Sequence, residues 1–213
     1  VNTITVTVPH QFPSGDVVAL DISEAEYMRD YAESHHEWVE GVVIKMSPVS
    51  GTHDKLTRFL DRLLGTYLET TSSGQLRADP FVMRLKNSRR EPDLQVILND
   101  NPNELTENYM DGPADICIEV VSPSNATTDY GDKFLEYEQA GVREYWIIDP
   151  TRSVARFYRL DENATYTQVI VNDDTFTTPL LPGFAINPSM FWQDVLPDTL
   201  TIVQMVQDML KGD

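Results

Sequence analysis

Cysteine, positive charge and long apolar runs are all scarce in this sequence. The one cysteine, Cys117, cannot form an internal disulfide, so a disulfide scaffold is excluded and a reducing compartment is permitted. Lys and Arg number 16 against 34 Asp and Glu, and this net charge of -18 argues against broad attraction to a polyanion. No apolar run approaches the roughly 20 residues that span a bilayer, and the N-terminal residues lack a secretion-signal pattern. We therefore expect a cytoplasmic protein without a membrane partner.

The length and composition indicate one domain. A chain of 213 residues with 41% hydrophobic content can bury one full-sized core, so we assign residues 1–213 to a single domain. The spacing of apolar residues, capping signals and turn residues then divides the chain into elements. The predicted strands are 3–8, a bent strand or tight hairpin over 38–46, 75–85, 93–98, 115–121, 143–148, and a hairpin of 153–160 with 165–171. The predicted helices are 23–34, 53–69, 128–140, 188–195 and 200–210.

This order of elements predicts the fold class. Helix, three strands, helix and strand follow one another through the middle of the chain, which is typical of an α/β (α+β) fold with a mixed β-sheet flanked by helices. A strand and a helix are added at the N-terminal end, and a hairpin and helices at the C-terminal end. Residues 86–90 are predicted to form the hairpin turn between the strands 75–85 and 93–98.

Two acidic residues stand inside apolar segments. Asp93 opens the run from Leu94 to Leu98, and Glu119 lies within the run from Ile116 to Val121. Burying an ionised carboxylate is costly unless it is paired or coordinates a cation, so the pair predicts a metal site. Carboxylate oxygens suit Mg²⁺ (or Mn²⁺), which can activate water for phosphodiester hydrolysis. Alternatively, Asp93 simply begins an ordinary strand, and Glu119 is solvated on an edge strand.

A cluster of cations precedes Asp93. Four of the 16 cationic residues fall within seven positions, namely Arg84, Lys86, Arg89 and Arg90. Such a hairpin is a candidate contact for nucleic-acid phosphates, which would make DNA binding a local property of an otherwise acidic protein. The alternative is an ordinary charged turn that protects a sheet edge.

Several sequence motifs together resemble those of a known family. They are Glu37-Trp38-Val39-Glu40-Gly41, Met46-Ser47-Pro48, His53, Pro92-Asp93-Leu94, Ile118-Glu119-Val120-Val121-Ser122-Pro123-Ser124, the set Asp129, Lys133 and Tyr137, Gly141-Val142-Arg143-Glu144-Tyr145-Trp146, and Asp149-Pro150. Over residues 20 to about 195 the chain resembles the Uma-type restriction endonuclease-like family. That family is similar in fold to the PD-(D/E)XK nucleases, whose core order of elements matches the order derived above.

The resemblance implies a function and assigns roles to residues. It implies an Mg²⁺-dependent (or Mn²⁺-dependent) endonuclease that hydrolyses DNA phosphodiester bonds with metal-activated water. Asp93 and Glu119 would bind the metal, Glu37 would supply a third acidic group, and the Val120 carbonyl could face the ion. Two residues after the second acid the nuclease motif has a lysine, and this chain has Val121 there.

Lys133 is the candidate replacement for that missing lysine. Asp129, Lys133 and Tyr137 share one face of the helix that follows the Glu119 strand, so the ammonium group could reach the site. Alternatively, Asp129 and Lys133 form a surface ion pair, and Tyr137 belongs to the core. His53 either donates to a phosphate or a ligating carboxylate, or caps its helix, or is exposed.

Other functions and an oligomeric state remain open at this point. A catalytically inactive binding or assembly module is favoured by Val121, by the acidic charge and by an apolar tail that includes Phe191, Trp192 and Leu196. A metal-dependent hydrolase of a small phosphoester is a third hypothesis. A homodimer is also expected, because cleavage of both DNA strands often uses two sites.

Overall fold

The computed structural model describes residues 15–48 and 50–211. The strand predicted over residues 3–8 lies outside the described residues. The described part of the chain contains the helices α1 (Glu24–Asp30), α2 (Gly51–Thr71), α3 (Lys133–Ala140) and α4 (Thr199–Lys211). A π-helical turn (Thr128–Asp132) leads directly into α3, and a 3-10 helix (Pro188–Trp192) precedes α4.

The described strands, numbered in chain order, are mostly short. They are β1 (Asp16–Ala19), β2 (His36–Val39), β3 (Val42–Lys45), β4 (Gly74–Ala78), β5 (Val82–Arg84), β6 (Ser88–Arg90), β7 (Leu94–Leu98), β8 (Glu104–Leu105), β9 (Tyr109–Asp111), β10 (Ile116–Val120), β11 (Glu144–Asp149), β12 (Val154–Leu160), β13 (Tyr166–Gln168), β14 (Phe176–Thr177) and β15 (Ala185–Ile186). The mixed fold of sheets and helices predicted from the sequence is confirmed.

Local signals in the sequence set the helix ends. Ser23 and Glu26 form a capping box at the start of α1, in which each side chain bonds to the other residue's backbone N–H. Gly141 ends α3 with φ of 88°, a left-handed conformation that glycine adopts without a steric penalty. Within the hairpin of β2 and β3, Glu40 and Gly41 both have positive φ and form the turn.

The six-stranded sheet holds the centre of the fold. Its order is β13-β12-β11-β10-β7-β4, and β10 and β11 are its parallel pair among the described strands. Parallel neighbours need a crossover connection, and here the π-helical turn and α3 supply it. The other pairings in this sheet are antiparallel. The crossover that contains α3 therefore begins where β10, the strand that carries Glu119, ends.

A second sheet, not predicted from the sequence, has the order β1-β3-β2-β6-β5-β9-β8. The predicted strand 75–85 is in fact two strands, because the chain leaves the six-stranded sheet after β4 at the cis Asp79-Pro80 bond. The predicted turn 86–90 is also wrong: β5 and β6 form their own hairpin, and β6 covers residues 88–90. Between the predicted strands 93–98 and 115–121, where no element was predicted, the chain forms β8 and β9.

Alternate residues of the six-stranded sheet face two separate apolar clusters. One face carries the even-numbered residues of β7, β10 and β11, such as Val96, Ile118 and Trp146, in one apolar cluster with α2 and with α4, which packs on α2. On the other face lies a cluster that includes Cys117, Val121 and residues of α3. Because side chains alternate along a strand, Glu119 belongs to this second face, the α3 face.

The C-terminal tail is less exposed than its sequence indicated. Phe191 is 4% exposed and its ring meets that of Phe59 edge to face, while Trp192 and Leu196 are partly buried against the same cluster. The apolar tail therefore belongs largely to the core, and only scattered residues such as Leu200 are exposed. None of the described helices is long and apolar enough to cross a membrane.

Candidate active site

The two predicted metal ligands lie on neighbouring central strands. In the pairing of β7 with β10, Ile118 lies opposite Leu94 and Cys117 opposite Gln95, so one further step of this antiparallel register places Asp93 across from Glu119. The backbone N–H of Val120 donates to Asp93 Oδ2 at 2.7 Å. Glu119 is only 3% exposed, so the interpretation of a solvated carboxylate on an edge strand is wrong.

His53 also contacts the Asp93 carboxylate. Its Nε2 lies 3.0 Å from Asp93 Oδ2, and its backbone N–H donates to the N-cap Ser50. Burial disfavours the imidazolium, but the hydrogen bond and charge of Asp93 outweigh it and raise the pKa of His53. Among the described residues, both hydrogen bonds to this carboxylate go to Oδ2, which leaves Oδ1 for a ligand.

Lys133 is the central cation of the site. Its Nζ lies 2.9 Å from Glu119 Oε1, 3.2 Å from Glu37 Oε1 and 3.7 Å from Asp129 Oδ1. The side chain is 1% exposed, so the alternative of a surface ion pair between Asp129 and Lys133 is wrong. Lys133 therefore reaches the acidic cluster, as its position on the helix face predicted. Asp129 itself lies in the π-helical turn that precedes α3.

Tyr137 combines packing with a polar contact. It is fully buried against Tyr145, and its hydroxyl donates to Glu119 Oε1 at 3.0 Å. The same oxygen of Glu119 therefore accepts from both Lys133 and Tyr137. Core packing, the alternative weighed for Tyr137, accounts for only part of its role.

Glu37 reaches the cluster from the second sheet, where β2 ends beside β6. Its Oε2 accepts from the fully buried guanidinium of Arg90 at 2.7 Å, and its Oε1 accepts from the Glu91 backbone N–H at 3.1 Å. Arg90 also binds both oxygens of Glu136 on α3. Through these ion pairs the Arg90 guanidinium links the second sheet to α3 and positions Glu37 next to Lys133.

The cluster has more carboxylates than cations, and their pKa values reflect that excess. Burial, reinforced by the charges of Asp129, Asp93 and Glu37, raises the pKa of Glu119 despite Lys133. Burial likewise raises the pKa of Asp129 to about 7 against the opposing charge of Lys133. Burial also acts on Glu37 and Lys133, but their ion pairs prevail, so the pKa of Glu37 is lowered and that of Lys133 is raised.

Two features of this cluster bear on whether it could hold a divalent cation. Asp129 Oδ1 is buried and has no hydrogen-bond partner, so one acceptor of the cluster is left for a ligand. A cavity of about 160 Å³ lies beside Glu37, Asp129 and Lys133, with Ser47 and Ser124 also in its wall. That volume has room for several waters or a phosphoryl group, since one water occupies roughly 30 Å³ in the liquid. Hard cations prefer such oxygen donors.

Three further residues near Asp93 were missed as site residues from the sequence. His35, Asp79 and Glu91 bring ligand atoms within 4.8 Å of one another. Burial, and then the charges of Asp79 and Glu37, raises the pKa of Glu91 to about 9. The position of Glu91 directly before Pro92-Asp93 was the signal available in the sequence, but nothing local connects it with His35, which is 56 positions earlier.

The four cationic residues expected to form a surface cluster do not all lie at the surface. Arg90 is fully buried, and Arg89 is 3% exposed, stacked over Trp38 and paired with Glu24. Arg84 is partly exposed and pairs with Glu24 and Asp111, and Lys86 is exposed. Two of the four predicted phosphate contacts thus have their guanidinium groups inside the protein, where they bind carboxylates and backbone carbonyls.

Comparison with known proteins gave one family and a structural relative. Residues 22–189 match the family described as "Uma2: Putative restriction endonuclease". The fold is similar to the crystal structure of a putative nuclease belonging to DUF820 from Anabaena variabilis ATCC 29413, with a TM-score of 0.63 and 17% identity. That match covers 87% of this chain and 99% of the other chain. No curated protein matched the chain.

Proposed function

Because this chain belongs to the Uma2 family, described as putative restriction endonucleases, we propose that it is a metal-dependent endonuclease that acts on DNA. The observation that carries the proposal is the meeting of Glu119, Glu37 and Lys133, from two sheets and a helix, in one buried cluster, with Asp93 opposite Glu119 on the neighbouring strand. Family and fold support the reaction class, and the donor atoms support an Mg²⁺ or Mn²⁺ ion.

In this proposal Asp93 and Glu119 hold the cation. Asp93 Oδ2 is fixed by His53 and the Val120 N–H, so its other oxygen has a defined direction. When bound, the cation supplies a Lewis acid and lowers the pKa of a coordinated water. Lys133 and Tyr137 hold Glu119 in one orientation, which reduces the reorganisation needed when a charged ligand enters.

Lys133 acts as a cation in this proposal and not as a general base. Its neighbouring carboxylates raise its pKa, so the amine stays protonated at neutral pH. An ammonium beside the cavity can donate to a phosphoryl oxygen or orient an attacking water. It takes the place of the lysine that Val121 replaces in the nuclease motif, because α3 delivers its side chain to the Glu119 strand.

Contact with DNA is proposed for the exposed part of the β5–β6 hairpin. Lys86 and the partly exposed Arg84 remain candidates for phosphate contacts. Arg89 and Arg90 would act indirectly, by shaping the hairpin and by holding Glu37. A homodimer is proposed as well, and light scattering coupled to size-exclusion chromatography would test it, since a monomer at high concentration contradicts it.

The test of the proposed function is cleavage of supercoiled and single-stranded DNA with Mg²⁺ or Mn²⁺. We expect nicking by the wild type, loss of at least 100-fold in Asp93→Asn and in Glu119→Gln, and no change in the exposed control Glu162→Gln. The substitutions keep side-chain shape and remove a ligand charge. Nicking at the wild-type rate in both site variants would contradict the proposal.

The inactive-module hypothesis has its own predicted outcome in this experiment. Its support from the tail has weakened, because Phe191 lies in the core. A wild type that binds Mg²⁺ but cleaves neither DNA would favour a hydrolase of small phosphoesters, and a wild type that does neither would favour the inactive module.

A further inference from the structure

A second acidic cluster lies next to Asp93, on residues that the proposed nuclease site does not use. His35 stands at the turn before β2, Asp79 follows β4, and Glu91 follows β6. One ligand atom from each lies within 4.8 Å of the other two, and these three are the only such group among the described residues.

The unpaired state of Glu91 distinguishes this cluster from an ordinary acidic surface. Glu91 is 1% exposed, and neither of its carboxylate oxygens has a hydrogen-bond partner among the described residues. Asp79 Oδ1 is likewise buried and unpartnered. Buried carboxylate oxygens are normally satisfied, so these unpartnered oxygens of Asp79 and Glu91 need either a proton shared between the two carboxyl groups or a positively charged partner.

The neighbouring charges do not supply that partner. Lys133 and Arg90 are committed to Glu37, Glu119, Asp129 and Glu136, as their ion pairs show. The His35 ring, 3.4 Å from Asp79, contributes a nitrogen donor from the solvent side, where its side chain is 58% exposed. The cluster therefore has two oxygen donors inside, a nitrogen donor outside and a route for an ion to enter.

We propose that His35, Asp79 and Glu91 bind a divalent transition-metal ion of the Mn²⁺ or Zn²⁺ class, separate from the ion proposed for Asp93 and Glu119. One imidazole and two carboxylates form a mixed nitrogen and oxygen donor set, which suits these ions better than Mg²⁺. Three protein ligands leave positions for water. The inference does not rest on the proposed nuclease function, because none of its three ligands belongs to that site.

The test uses Mn²⁺ as the probe and electron spin echo spectroscopy to detect a coordinated imidazole nitrogen. We expect nitrogen coupling in the wild type and its loss in His35→Gly, with binding weakened at least tenfold. Glycine is chosen because residue 35 has φ of 53°, which glycine tolerates. The matched control is His53→Gln, which removes the imidazole beside Asp93 and should leave the coupling in place.

A second variant separates metal binding from a shared proton. The alternative is that Asp79 and Glu91 share a proton and bind no metal. In that case the wild type shows no nitrogen coupling, and Glu91→Gln leaves the Mn²⁺ affinity unchanged. Either of these results overturns the proposal. Loss of coupling in His53→Gln but not in His35→Gly also overturns it. Since no readout is DNA cleavage, failure of this site and failure of the nuclease proposal are distinguishable.

Discussion

The two faces of the six-stranded sheet are built from the same strands but stabilised in different ways. On the α2 face, residues such as Leu94, Ile118 and Trp146 are apolar and fully buried. On the α3 face, the adjacent positions Asp93 and Glu119 carry carboxyl groups that bond to partners from other elements. An apolar face tolerates many sequences of similar volume, whereas a buried charge depends on particular partners.

The two faces therefore differ in what each contributes. Packing of apolar side chains on the α2 face gives stability that does not depend on the titration of those side chains. The α3 face instead buries a cluster of ionisable groups. Burying them lowers the free energy of unfolding, and a bound cation would offset that loss. Substitutions on the two faces should separate these contributions.

The largest effect is expected from removing the central cation of the α3 face. Lys133→Met keeps most of the side-chain volume but leaves Glu37, Glu119 and Asp129 without their shared ammonium. We expect a loss of about 3–5 kcal/mol in the free energy of unfolding near pH 7. Urea denaturation measures it, with the exposed Lys86→Met as control. A loss below about 1 kcal/mol would contradict the central role of Lys133 in the cluster.

A truncation on the α2 face should cost nearly as much without touching the charges. Leu63→Ala in the middle of α2 removes a fully buried side chain, and a loss of about 3 kcal/mol is expected. Below its melting temperature the variant should keep wild-type Mg²⁺ affinity, which calorimetry measures. A parallel loss of metal binding would show that the two faces are not independent.

The pH dependence of stability should come from the α3 face. The pKa of Asp129 is raised to about 7 and that of Glu91 to about 9, from ordinary values of 3.8 and 4.5. The folded state therefore binds these protons more tightly than the unfolded chain, so the free energy of unfolding falls as pH rises from about 4.5 to about 9.

Urea denaturation at several pH values across that window measures the slope. The raised pKa of His53 acts in the same direction, because its folded-state proton is also lost as pH rises. We expect a decline that is reduced in Glu91→Gln, because each unit by which a folded-state pKa is raised corresponds to about 1.4 kcal/mol. Stability that rises with pH over this range would show that these carboxyl groups are ionised in the folded state.

The smallest effect is expected from a single hydroxyl group. Tyr137→Phe keeps the packing against Tyr145 and removes the hydrogen bond to Glu119. A loss of about 1–2 kcal/mol is expected, since the buried carboxyl group of Glu119 would lose one of its two hydrogen-bond donors. Thermal unfolding and Mg²⁺ affinity measured together would test whether this hydroxyl orients the carboxylate, because a purely packing role would leave affinity unchanged.

Much of the α2 face could be predicted from the sequence. The three- and four-residue spacing of Leu56, Phe59, Leu60 and Leu63 predicted one amphipathic helix, and α2 extends from 51 to 71. The apolar runs from Leu94 to Leu98 and from Ile116 to Val121 likewise predicted the strands β7 and β10. The spacing of apolar residues is enough to predict this face, because each side chain needs only to be apolar and does not need a particular partner.

The α3 face could be predicted only in part. Asp93, Glu119 and Lys133 stood out through their local context, but the partners that fix them are distant in sequence. Arg90 was interpreted as a surface cation because nothing near it indicates burial between Glu37 and Glu136. The second sheet was missed because β5 and β6 are three residues each, too short for an alternating pattern.

The most direct test of the account compares one variant from each face in a single-turnover assay. Supercoiled DNA is mixed with Mg²⁺ and excess wild type, Leu63→Ala or Glu119→Gln, at a temperature where all three are folded by circular dichroism. We predict nicking by the wild type and by Leu63→Ala at rates within about threefold, and none by Glu119→Gln. Equal rates for Glu119→Gln and the wild type would contradict the claim that the charged α3 face is the active site.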